Sequence, residues 1–262
     1  MGTMTAVSQP TRVDLELVAR GLAPSRERAQ ALVAAGLVEL DGVRATSADQ
    51  RVGAATTIRL LGRDHSWASR GGLKLAPALD EFGVACDGRV CLDAGASTGG
   101  FTDVLLSRGA ALVYAVDVGR GQLDPRLAAD PRVRVMDRTN LRSLTSLPGP
   151  DPDLVTLDLS FISLRLVMPA VVRLIASGGA DLVALFKPQF ELGREAIGKG
   201  GIVRDADAAE QAAAEFAGWL GSAFGAVART PMPSPLRGAK GNLEWLVSAR
   251  LARVDPPGRS EP

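Results

Sequence analysis

Leu92-Asp93-Ala94-Gly95-Ala96-Ser97-Thr98-Gly99-Gly100-Phe101 is the stretch whose reading decides the fold. It joins a short apolar run, Val90 to Asp93, to a helical pattern, Phe101 to Arg108, through a glycine-rich turn. Glycine lets backbone pass close to a ligand, so a strand that turns into a helix this way marks a binding corner. The spacing is neither G-x-G-x-x-G, the dinucleotide fingerprint, nor G-x-x-x-x-G-K-[ST], the phosphate loop. Downstream the alternation continues, with strand patterns at 112–117, 133–136, 154–158 and 182–186 and helical patterns at 164–176 and 206–224. Late strands follow near Val227 and Leu246. Strands separated by helices predict βαβ units, a mostly parallel sheet and a Rossmann-like three-layer α/β sandwich, with ligands at the strand C-terminal ends.

The chain before this region has another rhythm. Val13, Leu17 and Val18 recur at helical spacing up to Gly21, and Ser25 is placed to cap a second helix that puts Ala29, Leu32 and Val33 on one face. Val38 and Leu40 then alternate with polar residues, Asp41-Gly42 is a tight-turn pair, Val43 resumes, and 56–60 reads as another strand. On Arg12-Val13-Asp14, Gly21-Leu22-Ala23, Ser25-Arg26, Ala29, Leu32, Gly36 and Val38 to Val43, this small α+β unit resembles the S-four domain, an RNA-binding domain named after a small-subunit ribosomal protein. The resemblance casts Arg12, Arg26 and Arg28 as RNA phosphate contacts. Residues 1 to 66 hold no Phe, Trp or Tyr, so base stacking on those rings is excluded there and shape and phosphate recognition remain. The expected division is a disordered leader at 1–10, the RNA-binding unit at 11–63, a linker at 64–72, the α/β domain at 73–252 and a disordered tail at 253–262.

Composition narrows the class. The 262 residues are 46% hydrophobic and 23% charged with net charge +1, an ordinary globular composition of one or two domains. Through Lys74 ten basic residues face seven acidic ones, a mild basic bias. Two cysteines and one histidine give no disulfide framework and no zinc cluster, so no metal is expected. No apolar run approaches the roughly 18 residues of a membrane helix, and no charged start precedes a hydrophobic segment. A cytoplasmic protein with no membrane partner is expected.

The glycine turn carries an acidic residue, Asp93, two positions before Gly95, and 24 residues beyond Asp93 the next strand ends in Asp117. A carboxylate there can hold a ribose diol. Adenosine without pyrophosphate suits the pattern, which resembles motifs I and II of S-adenosylmethionine (SAM) methyltransferases. That likeness makes Asp93, Gly95, Ala96, Ser97, Thr98, Gly99, Gly100, Phe101 and Asp117 cofactor residues, with Asp137 near the adenine.

Lysine stands at only four positions, 74, 187, 199 and 240, against 26 arginines. In so arginine-rich a chain each lysine asks for a reason, and lysine, unlike arginine, can give up its proton. Lys187 follows one strand pattern at the ligand end and Asp158 closes the one before it, while Lys74 enters the domain on a helix and Glu244 opens a late strand. Ser69-Arg70-Gly71-Gly72-Leu73-Lys74-Leu75, the glycine turn, Asp158 to Leu164, Lys187-Pro188-Gln189-Phe190-Glu191 and Gly241-Asn242-Leu243-Glu244 together resemble the TlyA family over almost the whole chain. The resemblance implies SAM-dependent 2′-O-methylation of a cytidine ribose in ribosomal RNA of the large subunit, with the small subunit open. It also implies a catalytic Lys74, Asp158, Lys187, Glu244 tetrad, with Arg70 added to the RNA contacts. Gln189, Phe190 and Arg194 are expected either to line the RNA entrance or to form a structural loop, and Gly198 to Gly201 to be a mobile loop.

Three rival readings make other demands on the sequence. A non-catalytic ribosome-assembly factor would need neither Asp117 nor the tetrad. A haemolysin-like protein, a label some family members carry, would need a membrane-inserting segment. A nicotinamide oxidoreductase would need the other glycine pattern. Asp158-Leu159-Ser160-Phe161 also departs from the [DN]-P-P-[FY] of amine methylation. Cys86 and Cys91 sit badly for a cysteine nucleophile.

Overall fold

The computed structural model describes residues 10–23, 25–61, 67–198, 200–238 and 241–253. The chain divides between Ser66 and Trp67 into two compact units. The expected leader apart from Pro10, linker residues 64–66, Lys199, Lys240 and the tail from 254 lie outside the described residues.

The first unit runs β1 (Thr11–Arg12), α1 (Val13–Ala19), α2 (Arg26–Ala34), β2 (Val38–Leu40), β3 (Val43–Arg44), β4 (Arg51–Val52) and β5 (Ile58–Leu60). Ser25 caps α2 as its sequence position requires, its side chain accepting from the Arg28 N–H. β3, β2 and β5 form an antiparallel sheet, and Asp41 and Gly42 both take positive φ in the tight turn between β2 and β3. Val13, Leu17, Ala29, Val33, Val38 and Leu40 close a small core of their own. The sequence did not announce the pairing of β1 with β4, because strands of two residues carry no readable period.

The second unit contains α3 (Gly72–Glu81), β6 (Val90–Ala94), α4 (Gly100–Ser107), β7 (Leu112–Val116), α5 (Pro125–Ala128), β8 (Val133–Met136) and β9 (Leu154–Leu157). It continues through α6 (Met168–Leu174), β10 (Ala180–Phe186), β11 (Ile197–Gly198), β12 (Ile202–Val203), α7 (Ala206–Phe224), β13 (Val227–Ala228), β14 (Met232–Pro233) and β15 (Trp245–Leu251). The main sheet has the order β13-β15-β10-β9-β6-β7-β8 with β14 also on β15. β10, β9, β6, β7 and β8 are parallel, and β15 runs antiparallel to β10. Strands covered on both faces need apolar side chains in succession. Leu92, Tyr114, Val155 and Leu182 accordingly face α6 and α7, while their neighbours Cys91, Val113, Leu154 and Val183 face α3 and α4. Each fully buried leucine contributes about 1.5–3 kcal/mol relative to exposure.

Trp67 to Gly72, expected as linker, belongs to this second unit. The Ala68 N–H donates to the Asp103 carboxylate at 2.7 Å, Ala68 is buried, and a Cβ on Gly100 would lie 3.1 Å from the Gly71 Cα. The segment packs against the start of α4, and polar, glycine-rich composition disguised that. At the other end Arg253, placed in the expected tail, donates to the Ile175 carbonyl at 3.0 Å. Of the stretch expected as a mobile loop, Gly198 lies in the β11–β12 hairpin and Gly200 and Gly201 lie beside it.

Chain order places the binding crevice. From β6 the chain steps outward to β7 and β8, then returns to the other side of β6 as β9. Where the winding reverses, loops leaving adjacent strands part and open a crevice. Here those loops begin at Gly95 and Asp158.

Candidate active site

Gly95 lines a cavity of about 460 Å³ at that reversal point, together with Ser97, Asp117, Asp158 and Phe161. Its φ of +84° and its closeness to the Asp158 carbonyl, which a Cβ would overlap, make glycine a requirement there. Ser97 also takes a positive φ, and its N–H donates to Asp117 Oδ2 at 2.9 Å. The Gly119 N–H donates to Asp117 Oδ1 at 2.7 Å, so the carboxylate at the end of β7 is oriented by two backbone donors. Val118, Leu141, Leu159, Ile162 and Val167 supply an apolar wall.

Several expected cofactor residues do not line this cavity. Asp93 is fully buried beneath the turn, where it accepts hydrogen bonds from Thr102 Oγ1 at 2.6 Å and Thr156 Oγ1 at 3.1 Å. Burial pushes its pKa up to about 7 even though both hydroxyls favour the charged form. It braces β6, α4 and β9 and forms no wall of the cavity. Ala96, Thr98, Gly99, Gly100 and Phe101 likewise lie off the wall, with Phe101 in the core. Asp137 accepts from the Gly121 N–H at 2.7 Å, and Thr139 and Asn140 line the cavity in its stead. Position after β8 was readable in the sequence. Which of these polar residues turns inward was not, because that depends on how the loop folds back.

A second cavity, of about 440 Å³, adjoins the first and shares Asp158, Ser160 and Phe161 with it. Lys74, Asp158, Lys187 and Glu244, far apart in sequence, all line it. Lys187 Nζ lies 2.6 Å from Asp158 Oδ1 and donates to Ser160 Oγ at 3.0 Å. Lys74 Nζ lies 2.5 Å from Glu244 Oε2. Lys187 and Glu244 are buried, so each charge depends on its partner. Gln189 and Phe190, expected at an entrance, line the same cavity. Arg194 lies on the same stretch, its side chain outside the described residues. Asn242, Ile197 and Gly201 complete the wall and were not singled out as site residues from the sequence. Only the reading of Gly241 to Glu244 as one motif pointed near them.

Cys91 is buried in β6 and Cys86 before it, and burial raises both thiol pKa values, which leaves neither as a nucleophile. Among the described residues no group of three or more His, Cys, Asp or Glu side chains is arranged to hold a metal ion. Among them, too, no helix is long and apolar enough to cross a membrane.

In the first unit Arg12 and Arg26 converge on buried Asp14, each Nε at 3.0 Å from a carboxylate oxygen. The Arg12 guanidinium holds that carboxyl far below the usual range, with Gln30 and Arg26 assisting. Arg28 is half-buried on α2, and Arg70 is exposed just before α3 in the other unit.

A nucleoside-sized cavity with an oriented carboxylate, opening beside two lysine–carboxylate pairs, has parts for group transfer with proton handling. Residues 67–251 match the FtsJ-like methyltransferase family, and residues 11–58 match the S4 domain. The 16S/23S rRNA (cytidine-2′-O)-methyltransferase TlyA of Mycobacterium tuberculosis is 47% identical over 93% of this chain and 91% of its own. The chain belongs to the TlyA family of FtsJ-like methyltransferases. Hemolysin A of Brachyspira hyodysenteriae is 37% identical over 90% of this TlyA-family chain and 98% of its own. A solved structure from Streptococcus thermophilus, also described as a hemolysin, superposes with a TM-score of 0.72 at 39% identity, covering 94% of this chain and 90% of that one. This TlyA-family chain is thus a methyltransferase whose catalytic domain is built on a mostly parallel α/β sheet and which carries an S4 domain N-terminal to it in the sequence.

Proposed function

We propose that this enzyme transfers a methyl group from SAM to the 2′-oxygen of a cytidine ribose in ribosomal RNA, large-subunit RNA first, and does so in the cytoplasm without a metal. The observation that carries the reading is the shared wall: Asp158 borders both cavities and holds Lys187 on the side of the tetrad.

The residues of the first cavity suit SAM. Asp117 would accept from the ribose diol, the apolar wall of Val118, Leu141 and Ile162 would take the adenine, and the absence of a side chain at Gly95 leaves the room a cofactor needs beside Asp158. When bound, SAM supplies an electrophilic methyl group.

A ribose hydroxyl is a poor nucleophile and must shed its proton as it attacks. Lys187 would take or steer that proton, a role supported by Asp158 and Ser160 fixing its amine. Lys74 and Glu244 form the facing pair and keep the cavity's four charges balanced. Alignment of the ribose oxygen in line with the methyl carbon is the other large contribution.

RNA would be held by Arg28 and Arg70, with Arg12 and Arg26 contributing the N–H groups that Asp14 leaves free. Phe161 and Phe190 stand at the cavity with ring centroids 5.2 Å apart. The test is transfer of tritium from labelled SAM into unmodified ribosomal subunits, followed by nuclease mapping. Alkali-resistant label at one cytidine of the large subunit is expected, and the small subunit, named for the M. tuberculosis relative, is the second arm. Binding of SAM with no transfer to RNA overturns the substrate assignment. Absence of SAM binding returns the assembly-factor reading.

A further inference from the structure

β11 and β12 form a hairpin of two residues per strand, pairing Ile197 with Val203 and Gly198 with Ile202. So short a hairpin has little stability of its own and needs an anchor. Asn242 supplies one: its Oδ1 accepts from the Val203 N–H at 3.0 Å, and its Nδ2 donates to the Gly201 carbonyl at 3.0 Å. A primary amide can do both at once because it offers a donor and an acceptor side by side. Asn242 is 3% exposed and stands two residues before Glu244, the partner of Lys74. Ile197, Gly201 and Asn242 line the cavity of the tetrad, and none of the three lines the cofactor-side cavity.

We infer that Asn242 is a positioning residue for the RNA ribose, latching the Ile197–Val203 hairpin as the outer wall of the tetrad cavity. The inference rests on the methyl-transfer reading and assigns this wall to the RNA side alone. A slack wall lets the ribose oxygen leave the line of attack, which lowers kcat. Overall RNA affinity comes largely from phosphate contacts and changes less.

The experiment compares wild type, Asn242→Asp and Ile197→Ala as full chains, measuring SAM affinity by calorimetry and kcat and KM on unmodified ribosomal subunits. Asp keeps the size of Asn but turns a carboxylate oxygen toward the Gly201 carbonyl. Losing one hydrogen bond and gaining that repulsion is expected to lower kcat by about ten- to a hundredfold. The Kd for SAM is expected within twofold of wild type. Ile197→Ala, which leaves the latch intact, tests the wall independently should Asn242→Asp fold poorly, and a smaller loss in kcat with unchanged SAM affinity is expected. A parallel loss of SAM affinity, or kcat within twofold of wild type in both variants, overturns the inference. Wild type that methylates no RNA overturns the functional reading and this inference with it.

Discussion

Lys187 Nζ and Asp158 Oδ1 stand 2.6 Å apart at the tips of two neighbouring parallel strands, β10 and β9. The sheet itself brings them together: each follows the last residues of its strand, so register places the pair at the ligand end without help from a flexible loop. On the proposed mechanism Lys187 handles the ribose proton, so Lys187→Ala should lower kcat by about 10²–10⁴. Asp158→Asn leaves Lys187 with Ser160 and should fall in the same range. The double variant should lose little more than either single one, since residues acting as a unit are not additive. Single-turnover methyl transfer at saturating SAM measures all three.

Gly95→Ala tests the other side of the reversal point. The new Cβ would meet the Asp158 carbonyl at a φ that alanine rarely adopts. Backbone strain of this kind costs on the order of 1–3 kcal/mol. The loop should shift, SAM affinity should drop by at least tenfold by calorimetry, and the thermal midpoint should fall. Unchanged affinity would show that the turn does not bound the cofactor.

Phe161 is 90% exposed and sits at φ +64° between the two cavities. Its ring meets Phe190 on one side and is otherwise open to solvent at the edge the two cavities share, where an RNA base could stack on it. Stacking of a base on an aromatic ring contributes about 1–3 kcal/mol. Phe161→Ala should therefore raise KM for RNA by about tenfold while thermal stability stays within experimental error. A stability loss with unchanged KM would place the ring in a structural role.

Much of this was legible in the chain for physical reasons. Doubly covered strands such as Leu182 to Phe186 read as apolar runs, and the ends of such runs locate Asp158 and Lys187 without knowledge of the fold. Scarcity made the lysines conspicuous, and the resemblance joined Lys74 and Glu244 to them. Two things were hidden. Asp93 was expected at the cofactor, yet a sequence does not show whether a carboxylate at a strand end points into the crevice or back into the core. Asn242 acts through hydrogen bonds to backbone 39 and 41 residues away, and no local period records such a contact.

The burial of Asp93 has a consequence for stability that pH can read. In the folded protein its pKa is raised to about 7 from an ordinary 3.8, mainly because the charged form is cut off from water. Between those values the folded state keeps a proton that the unfolded chain has lost. The unfolded state binds fewer protons in this window, so stability falls as pH rises from about 4 to about 7 and levels off above it. Each pH unit in the window is worth up to about 1.4 kcal/mol, so about 2–3 kcal/mol is lost between pH 5 and pH 7. Asn at position 93 keeps the shape and an oxygen for Thr156, and Thr102 can turn its hydroxyl to accept, but the group no longer titrates. Urea unfolding of wild type and Asp93→Asn at pH 5 and pH 8 isolates the effect, because all other titrating groups are common to both. The variant should gain on wild type by that amount at the higher pH. Parallel losses in the two proteins would mean that Asp93 is ionised in the fold at neutral pH, its charge carried by the two threonines.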